Sequence, residues 1–284
     1  MRMRNALMAA LTALVTAAST VMLVVSATPD ANAAAPGLWK IDCAFSHSLP
    51  DDPILFPGRP GASHLHDFFG NAGTRANSTY ASLDGVRSTC AKNDRAAYWV
   101  PALYQNGRKI NPTSAIVYYT TSAGPPNQQR SFPPNMKIIL GNSAATTAAQ
   151  REGRIDWGCS DNTQIGETIP ARCASGHIQV RMPFPPCWNG RNTDGNAIGN
   201  LRYPKSGVCP AGFPIALVGM RFNVVYRVGS TTGNITLSSG NVNSIHVDFW
   251  NLWHQPTLDQ LVRDCLHGQR NCGHFKGTSP GRNP

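Results

Sequence analysis

The chain has 284 residues, a net charge of +10 at neutral pH and eight cysteines. A basic N-terminus, an apolar stretch to about residue 27 and a small-residue exit at Ala31 and Ala33 are typical of a cleaved secretory signal peptide over residues 1–33. No later stretch is long and apolar enough for a membrane span, so we expect no stable membrane insertion after the signal is removed.

The charge of the mature chain indicates which class of binding partner to expect. Loss of Arg2, Arg4 and Asp30 with the signal leaves a charge of +9, which favours polysaccharide or other anionic envelope polymers as partners. The basic residues are scattered, so nucleic acid is not an expected partner. We expect a monomer, secreted and extracellular or associated with the cell wall.

Residues 34–275 predict one globular domain, followed by a disordered tail over residues 276–284. Its strands are predicted at 97–104, 115–121, 136–140, 177–182, 215–228, 234–237 and 244–249. One amphipathic helix follows Pro256, with apolar residues from Leu258 to Leu266 and Gly268 as its stop. This pattern predicts a mainly β fold, an antiparallel β-sandwich or barrel-like domain with long disulfide-pinned loops and one C-terminal helix.

All eight cysteines lie after the signal, which predicts up to four disulfides in an exported chain. Their connectivity cannot be derived from one sequence. Only Cys265 and Cys272 form a natural local pair, which would join the end of the helix to the following loop. No CxxC pair is present, so a cysteine-based zinc site is not expected.

Two histidine motifs lie about 180 residues apart: SHLHDFFG at 63–70 and IHVDFWN at 245–251. Polar residues at i and i+2 on an extended backbone point to the same face. If the two segments meet, they bring together three imidazoles and one or two carboxylates. The predicted catalytic residues are His64, His66, His246 and Asp248.

Two chemistries fit these four residues. They could bind one divalent ion, such as Zn or Mn, and leave a position open for water. Alternatively, a histidine and an aspartate could act without metal as a general base and the group that orients it. The sequence leaves both open.

A third segment, FPPCWNGRNTDG at 184–195, combines an aromatic face with polar groups. Such a combination suits sugar recognition, in which rings stack and hydroxyls form hydrogen bonds. An alternative is a disulfide-pinned turn with the tryptophan as a core residue. The predicted substrate-binding residues are Trp188, Asn189, Arg191, Asp194 and, beside the second histidine motif, Trp250.

The motifs SHLHDFFGN (63–71), YWVPALY (98–104), FPPCWNG (184–190) and HVDFWN (246–251) resemble those of a secreted domain-of-unknown-function family. That family is widespread in fungi, where it is often joined to WSC carbohydrate-binding modules, and it occurs in some actinobacteria. The resemblance covers about residues 37–272 and implies a link to carbohydrate through the neighbouring modules. The family often has threonine where Asp67 stands and aspartate where Asn189 stands.

Three functions are therefore expected in decreasing order. The first is a secreted hydrolase or lyase with a His/Asp centre that acts on extracellular or cell-wall polysaccharide. The second is a non-catalytic carbohydrate-binding or envelope protein. The third is a metal-dependent phosphodiesterase or nuclease.

Overall fold

The computed structural model describes residues 37–151, 153–193 and 197–278. The predicted signal peptide (1–33) and the end of the predicted tail (279–284) lie outside the described residues. The fold is mainly β, as predicted, and its two large sheets pack face to face as a sandwich.

The elements follow one another in this order. The strands are β1 (Leu38–Cys43), β2 (Phe45–Leu49), β3 (His66–Gly70), β4 (Ala97–Pro101), β5 (Leu103–Gln105), β6 (Arg108–Ile110), β7 (Pro112–Thr120), β8 (Lys137–Gly141), β9 (Asp156–Cys159), β10 (His177–Pro183), β11 (Cys187–Trp188), β12 (Leu201–Arg202), β13 (Ile215–Ala216), β14 (Gly219–Arg227), β15 (Ile235–Leu237), β16 (His246–Trp250) and β17 (Asn271–Phe275). The helices are α1 (Tyr80–Leu83), α2 (Ala197–Asn200) and α3 (Gln255–Leu261).

Strand pairing builds two large sheets and two small ones. The larger has six strands in the order β17-β1-β7-β14-β10-β9, and the second has five in the order β2-β3-β4-β16-β8. Pairing is antiparallel apart from the β17–β1 contact, which is parallel. Three-stranded sheets, β12-β11-β13 and β15-β5-β6, lie in the connections.

The core lies between the two large sheets and is rich in aromatic rings. Tyr98 stacks on Phe222 with ring centroids 4.9 Å apart, and Phe69 meets the same ring edge-on at 5.3 Å. The alternation of buried and more exposed residues along β1 and β7 places one face of each strand in this core. Burial of these rings contributes favourable free energy to the packing of the two sheets.

The outer face of the five-stranded sheet is also covered. Phe68, Trp99 and Trp250 project from it into a second apolar cluster that includes Leu83 of α1. Successive side chains in a strand point to opposite faces, so the residues at even positions of β3 and β16 share this outer face. The two histidine motifs are therefore placed on one surface.

The predicted C-terminal helix is confirmed. It begins at Gln255 as α3, with Pro256 in its first turn, and continues as a π-helical turn over Val262–His267 before Gly268. Its apolar face, including Leu258 and Leu266, packs into the main core.

All eight cysteines form disulfides: Cys43–Cys90, Cys159–Cys173, Cys187–Cys209 and Cys265–Cys272. The local pair Cys265–Cys272 was predicted. Four disulfides are typical of a protein that folds in an oxidising compartment. Among the described residues, no helix has the length and hydropathy needed to cross a bilayer.

Candidate metal centre

The two histidine motifs meet on the outer face of the five-stranded sheet. The Nε2 atom of His246 lies 3.1 Å from Nε2 of His66 and 3.2 Å from Nε2 of His64. Three imidazoles from segments about 180 residues apart therefore converge on one point, as the sequence predicted. His64 precedes β3 rather than lying in it, and its ring is half-buried.

The strand order explains how the rings reach one another. Strands β3 and β16 are not neighbours, because β4 runs between them. Pro101 of β4 lies opposite His66. On the other side His246 pairs with Gly141 of β8.

Gly141 makes a close approach possible. Its φ is +103°, a backbone conformation that favours glycine, and an added Cβ would lie 2.7 Å from Cα of His246. Any side chain at position 141 therefore pushes against the strand that carries this histidine. Sequence reasoning did not identify Gly141, which has no motif of its own.

Backbone carbonyls fix the protonation of two rings. The Nδ1 atom of His66 lies 3.0 Å from the carbonyl oxygen of Asp51, and Nδ1 of His246 lies 2.9 Å from that of Ser244. A carbonyl oxygen only accepts hydrogen bonds, so each Nδ1 carries the hydrogen and donates it. In the neutral ring the lone pair is then on Nε2, the atom that faces the other histidines.

Burial keeps these rings neutral. Desolvation lowers the pKa of His66 well below its usual value, and a positive charge on His246 or His64 would lower it further. Desolvation lowers the pKa of His246 to about 4 and also lowers the pKa of His64. At neutral pH the centre is therefore three neutral imidazoles, and the Nε2 lone pairs of His66 and His246 point toward each other.

A buried carboxyl pair lies beside His66. Asp248, which the sequence predicted, is 0% exposed, and neither of its carboxyl oxygens has a hydrogen-bond partner among the described residues. Desolvation, and then the charge of Asp52, raise its pKa well above the usual value. Ligand atoms of Asp52, His66 and Asp248 lie within 4.8 Å of one another, so the carboxyls adjoin the histidine cluster.

Asp51 and Asp52 belong to the site but were not predicted from the sequence. Asp52 accepts hydrogen bonds from the N–H groups of Ile54 and Leu55, and Asp51 accepts from those of Gly61 and Ala76. These bonds fix the loop that covers the sheet and carries the carbonyl that holds His66. The sequence feature that could have indicated these site residues is the pair of adjacent aspartates, since the chain has only 15 acidic residues.

Asp67 belongs to a different environment. It points to the opposite face of β3 from His66, where Lys109 contacts it at 2.8 Å and Ser48 donates to it. Its carboxyl is thus excluded from the histidine cluster.

A cleft of about 420 Å³ opens onto the histidines. His64 and His246 form part of its wall, whereas His66 is fully buried behind them. The remaining lining residues are neutral: Leu55, Phe56, Ala62, Ser63, Ile139, Gly141, Asn142 and Ser143.

The other predicted binding residues lie away from this cleft. Trp188 donates through Nε1 to the carbonyl of Asn192, and Asn189 accepts from the N–H of Arg191, so these polar groups hold their own turn together. That turn follows the Cys187–Cys209 disulfide, and Asp194 lies outside the described residues. Trp250 is only 2% exposed and packs in the second apolar cluster, so its ring presents no face to a substrate.

The comparisons with known proteins give a family but no characterised relative. No curated protein and no solved structure matches the chain. The family described as "Domain of unknown function (DUF1996)" matches residues 52–253, a span that contains every residue of the histidine centre and its carboxyl pair. The chain belongs to this family.

Proposed function

We propose that this protein is a secreted, metal-dependent enzyme that cleaves an extracellular or cell-wall polysaccharide by hydrolysis or elimination. The observation that supports it is the convergence of three Nε2 atoms, at 3.1 and 3.2 Å, while two of the rings donate through Nδ1 to backbone carbonyls.

The convergence favours a metal ion over a hydrogen bond between rings. Two neutral imidazoles that both carry hydrogen on Nδ1 offer each other only lone pairs, which repel. Because Nδ1 of His66 and of His246 already carries a hydrogen, an Nε2–H on either of these two rings would require an imidazolium, and burial opposes that charge. A tetrahedral zinc with Zn–N bonds of about 2.0–2.1 Å places its nitrogens about 3.3 Å apart, close to the spacing seen here.

The surroundings of the rings also match a metal site. Histidine ligands commonly donate their second N–H to a backbone carbonyl or carboxylate, which fixes ring orientation. Asp51 and Ser244 supply such carbonyls. A bound ion would lower the raised pKa values of Asp248 and Asp52, and the ionised carboxylates would then offset part of the positive charge that the ion brings into a buried place.

The side of the centre that faces the cleft is where a reaction could take place. His64, His66 and His246 would hold the ion, and the chemistry it would supply there is a bound water of lowered pKa that can act as a nucleophile or base near neutral pH. His64 and His246 present that side to the cleft. Asp248 has no exposed surface, so we assign it to charge balance and positioning rather than to substrate contact.

The cleft lining supports a sugar substrate. Leu55 and Phe56 offer apolar faces for the CH surface of a sugar ring, and Ser63, Asn142 and Ser143 offer hydroxyl and amide groups. No Lys or Arg is among the described lining residues, although a phosphodiester chain would need such groups. The cleft therefore favours polysaccharide over nucleic acid.

Metal content tests the centre. The protein purified without added metal or chelator, and again after loading with Zn or Mn, is expected to hold about one ion per chain by elemental analysis. His64→Ala removes a half-buried ring at the cleft and should abolish this stoichiometry with little change in folding. His177→Ala, on the other large sheet, is the matched control and should keep the ion. Equal metal content in the two variants contradicts the assignment.

Product formation tests the reaction. The loaded protein should release new reducing ends or unsaturated products from at least one member of a cell-wall polysaccharide panel, and His64→Ala should not. Binding of a polysaccharide without product on prolonged incubation would instead identify a non-catalytic carbohydrate-binding protein. Nicking of plasmid DNA would identify a nuclease.

A further inference from the structure

A cluster of cationic and aromatic side chains lies on the outer face of the six-stranded sheet. Lys40, Tyr118 and Arg221 come from β1, β7 and β14 and stand in one cross-strand row. The Nζ atom of Lys40 lies 5.2 Å from the centroid of the Tyr118 ring, and Cζ of Arg221 lies 4.4 Å from it. The tyrosine ring is thus flanked by two cations.

A second arginine–tyrosine pair lines the same cleft as Tyr118 and Arg221. Cζ of Arg154 lies 4.7 Å from the centroid of Tyr203. The hydroxyl of Tyr203 donates to the carbonyl of Pro183 and accepts from the backbone N–H of Arg154, which fixes the ring beneath the guanidinium. Arg154 and Arg221 both line one cleft of about 320 Å³.

The described part of the chain supplies this cleft with positive charge but with no acidic lining residue. No Asp or Glu is among its described lining residues. Two acids of the same sheet form ion pairs elsewhere, Asp42 with His274 and Asp156 with Arg181. Among the described residues, Lys40, Arg154 and Arg221 form no ion pair.

Buried polar atoms in the cleft also lack partners. Nε of Arg221 and Oγ1 of Thr121 are inaccessible to water and have no hydrogen-bond partner within the described residues. Such atoms are costly unless a ligand or ordered water satisfies them. A guanidinium presents its N–H groups in a planar arrangement that pairs with a carboxylate.

We propose that this cleft binds the carboxylate groups of an acidic polysaccharide, on the face of the sandwich opposite the histidine centre. Isolated arginines beside threonine hydroxyls suit a sugar chain, in which each carboxylate is surrounded by hydroxyls. Duplex DNA carries a charge about every 1.7 Å and calls for a denser set of cations. The site holds the protein on an anionic polymer and does not depend on the reaction at the histidines.

Binding to polygalacturonate tests this proposal. Affinity is measured by titration calorimetry for the full mature chain, for Arg154→Gln/Arg221→Gln and for Arg108→Gln/Arg263→Gln. The control pair removes the same charge from exposed positions outside the cleft. The cleft variant should lose affinity at least about tenfold, as expected for charge-assisted hydrogen bonds, and the control should lose less than about threefold.

The proposal would be overturned by equal losses in the two variants, by tight binding of uncharged dextran, or by binding of duplex DNA as strong as that of polygalacturonate. Sulfated dextran separates a requirement for carboxylate from one for any anion, and stronger binding of sulfate contradicts the carboxylate assignment. Because Arg154 is exposed, the single variant Arg154→Gln folds normally and must also weaken binding if the double variant fails to fold.

Discussion

At the scale of single residues, the histidine centre depends on which nitrogen of each ring is free. His66 and His246 use Nδ1 for backbone carbonyls, and this directs Nε2 into the cluster. The same two residues without those carbonyls could rotate or change tautomer. The backbone around Asp51 and Ser244 is therefore as much a part of the site as the rings are.

A buried acid in the core provides a prediction that is independent of the metal. Asp94 accepts hydrogen bonds from Tyr98 and the N–H of Ala96, yet desolvation raises its pKa to about 7. Its pKa in the unfolded chain is about 3.9. The native state therefore binds more protons between these values, and stability falls as pH rises from about 4 to about 7.

Asp94→Asn should remove this pH dependence. Urea unfolding between pH 5 and pH 7 should show the wild type losing about 1.4 kcal/mol per pH unit relative to the variant. Asp264→Asn, at an exposed position, is the control and should follow the wild type. Parallel curves for wild type and Asp94→Asn would show that Asp94 is not the titrating group.

At the scale of secondary-structure elements, the site depends on four strands of one sheet. β3 and β16 carry histidines, β4 separates them with Pro101, and β8 closes the far side with Gly141. The i, i+2 spacing of the second motif predicted that His246 and Asp248 share a face. It could not predict that a third strand lies between the two motifs.

Gly141→Ala should weaken metal binding through the position of β16. The added methyl meets Ile245 and His246 backbone at less than 3 Å, and the positive φ adds strain. We expect the affinity for zinc to fall about tenfold or more, since misplacement of a ligand-bearing strand disrupts the geometry.

Gly107→Ala is the matched control for this substitution. Gly107 also has a positive φ but has open space around its Cβ position, so it carries the backbone strain without the contact. Zinc affinity measured by competition with a chelating dye should be unchanged in this variant. An unchanged affinity in Gly141→Ala would show that β8 does not position His246.

Sequence patterns predicted some elements better than others. The helix after Pro256 was recognised because apolar spacing, proline and glycine agreed. The predicted strand at 97–104 is broken at Ala102, where the N–H bonds to Leu65 and the carbonyl to Ser238. The strand predicted at 215–228 is likewise divided, because Val218 bonds to Arg130 instead of a ladder partner.

Other elements gave little local signal. In β1 the apolar residues Trp39 and Ile41 alternate with more polar residues, so this strand could have been recognised from the sequence. In contrast, β17 is positioned by its parallel pairing with β1, a long-range contact that the local sequence does not indicate. The carboxyl of Asp52 is placed at the site by the conformation of its loop, which the spacing of residues in the sequence does not predict. Trp250 has the composition of a binding residue, but tertiary packing buries it.

At the scale of the whole molecule, disulfides connect the layers. Cys43 of β1, in the six-stranded sheet, is joined to Cys90, in the segment that leads into β4 of the five-stranded sheet. This bond closes a separation of 47 residues, whereas Cys265–Cys272 closes one of 7. Longer closed loops restrict the unfolded chain more.

The two disulfides should therefore differ in their contribution to stability. Cys43→Ala/Cys90→Ala should lower the free energy of unfolding by about 4 kcal/mol and Cys265→Ala/Cys272→Ala by about 2 kcal/mol. Chemical denaturation of both variants beside the wild type measures the difference. A larger loss for the C-terminal pair would contradict this ranking.

One ion is expected among the three imidazoles, and anomalous diffraction from zinc-loaded crystals tests this site most directly. We predict a single strong peak about 2.0–2.1 Å from the Nε2 atoms of His64, His66 and His246. The peak should be absent from crystals of His64→Ala. A loaded wild-type crystal with no peak there, or with a water hydrogen-bonded to the three rings, would contradict the account.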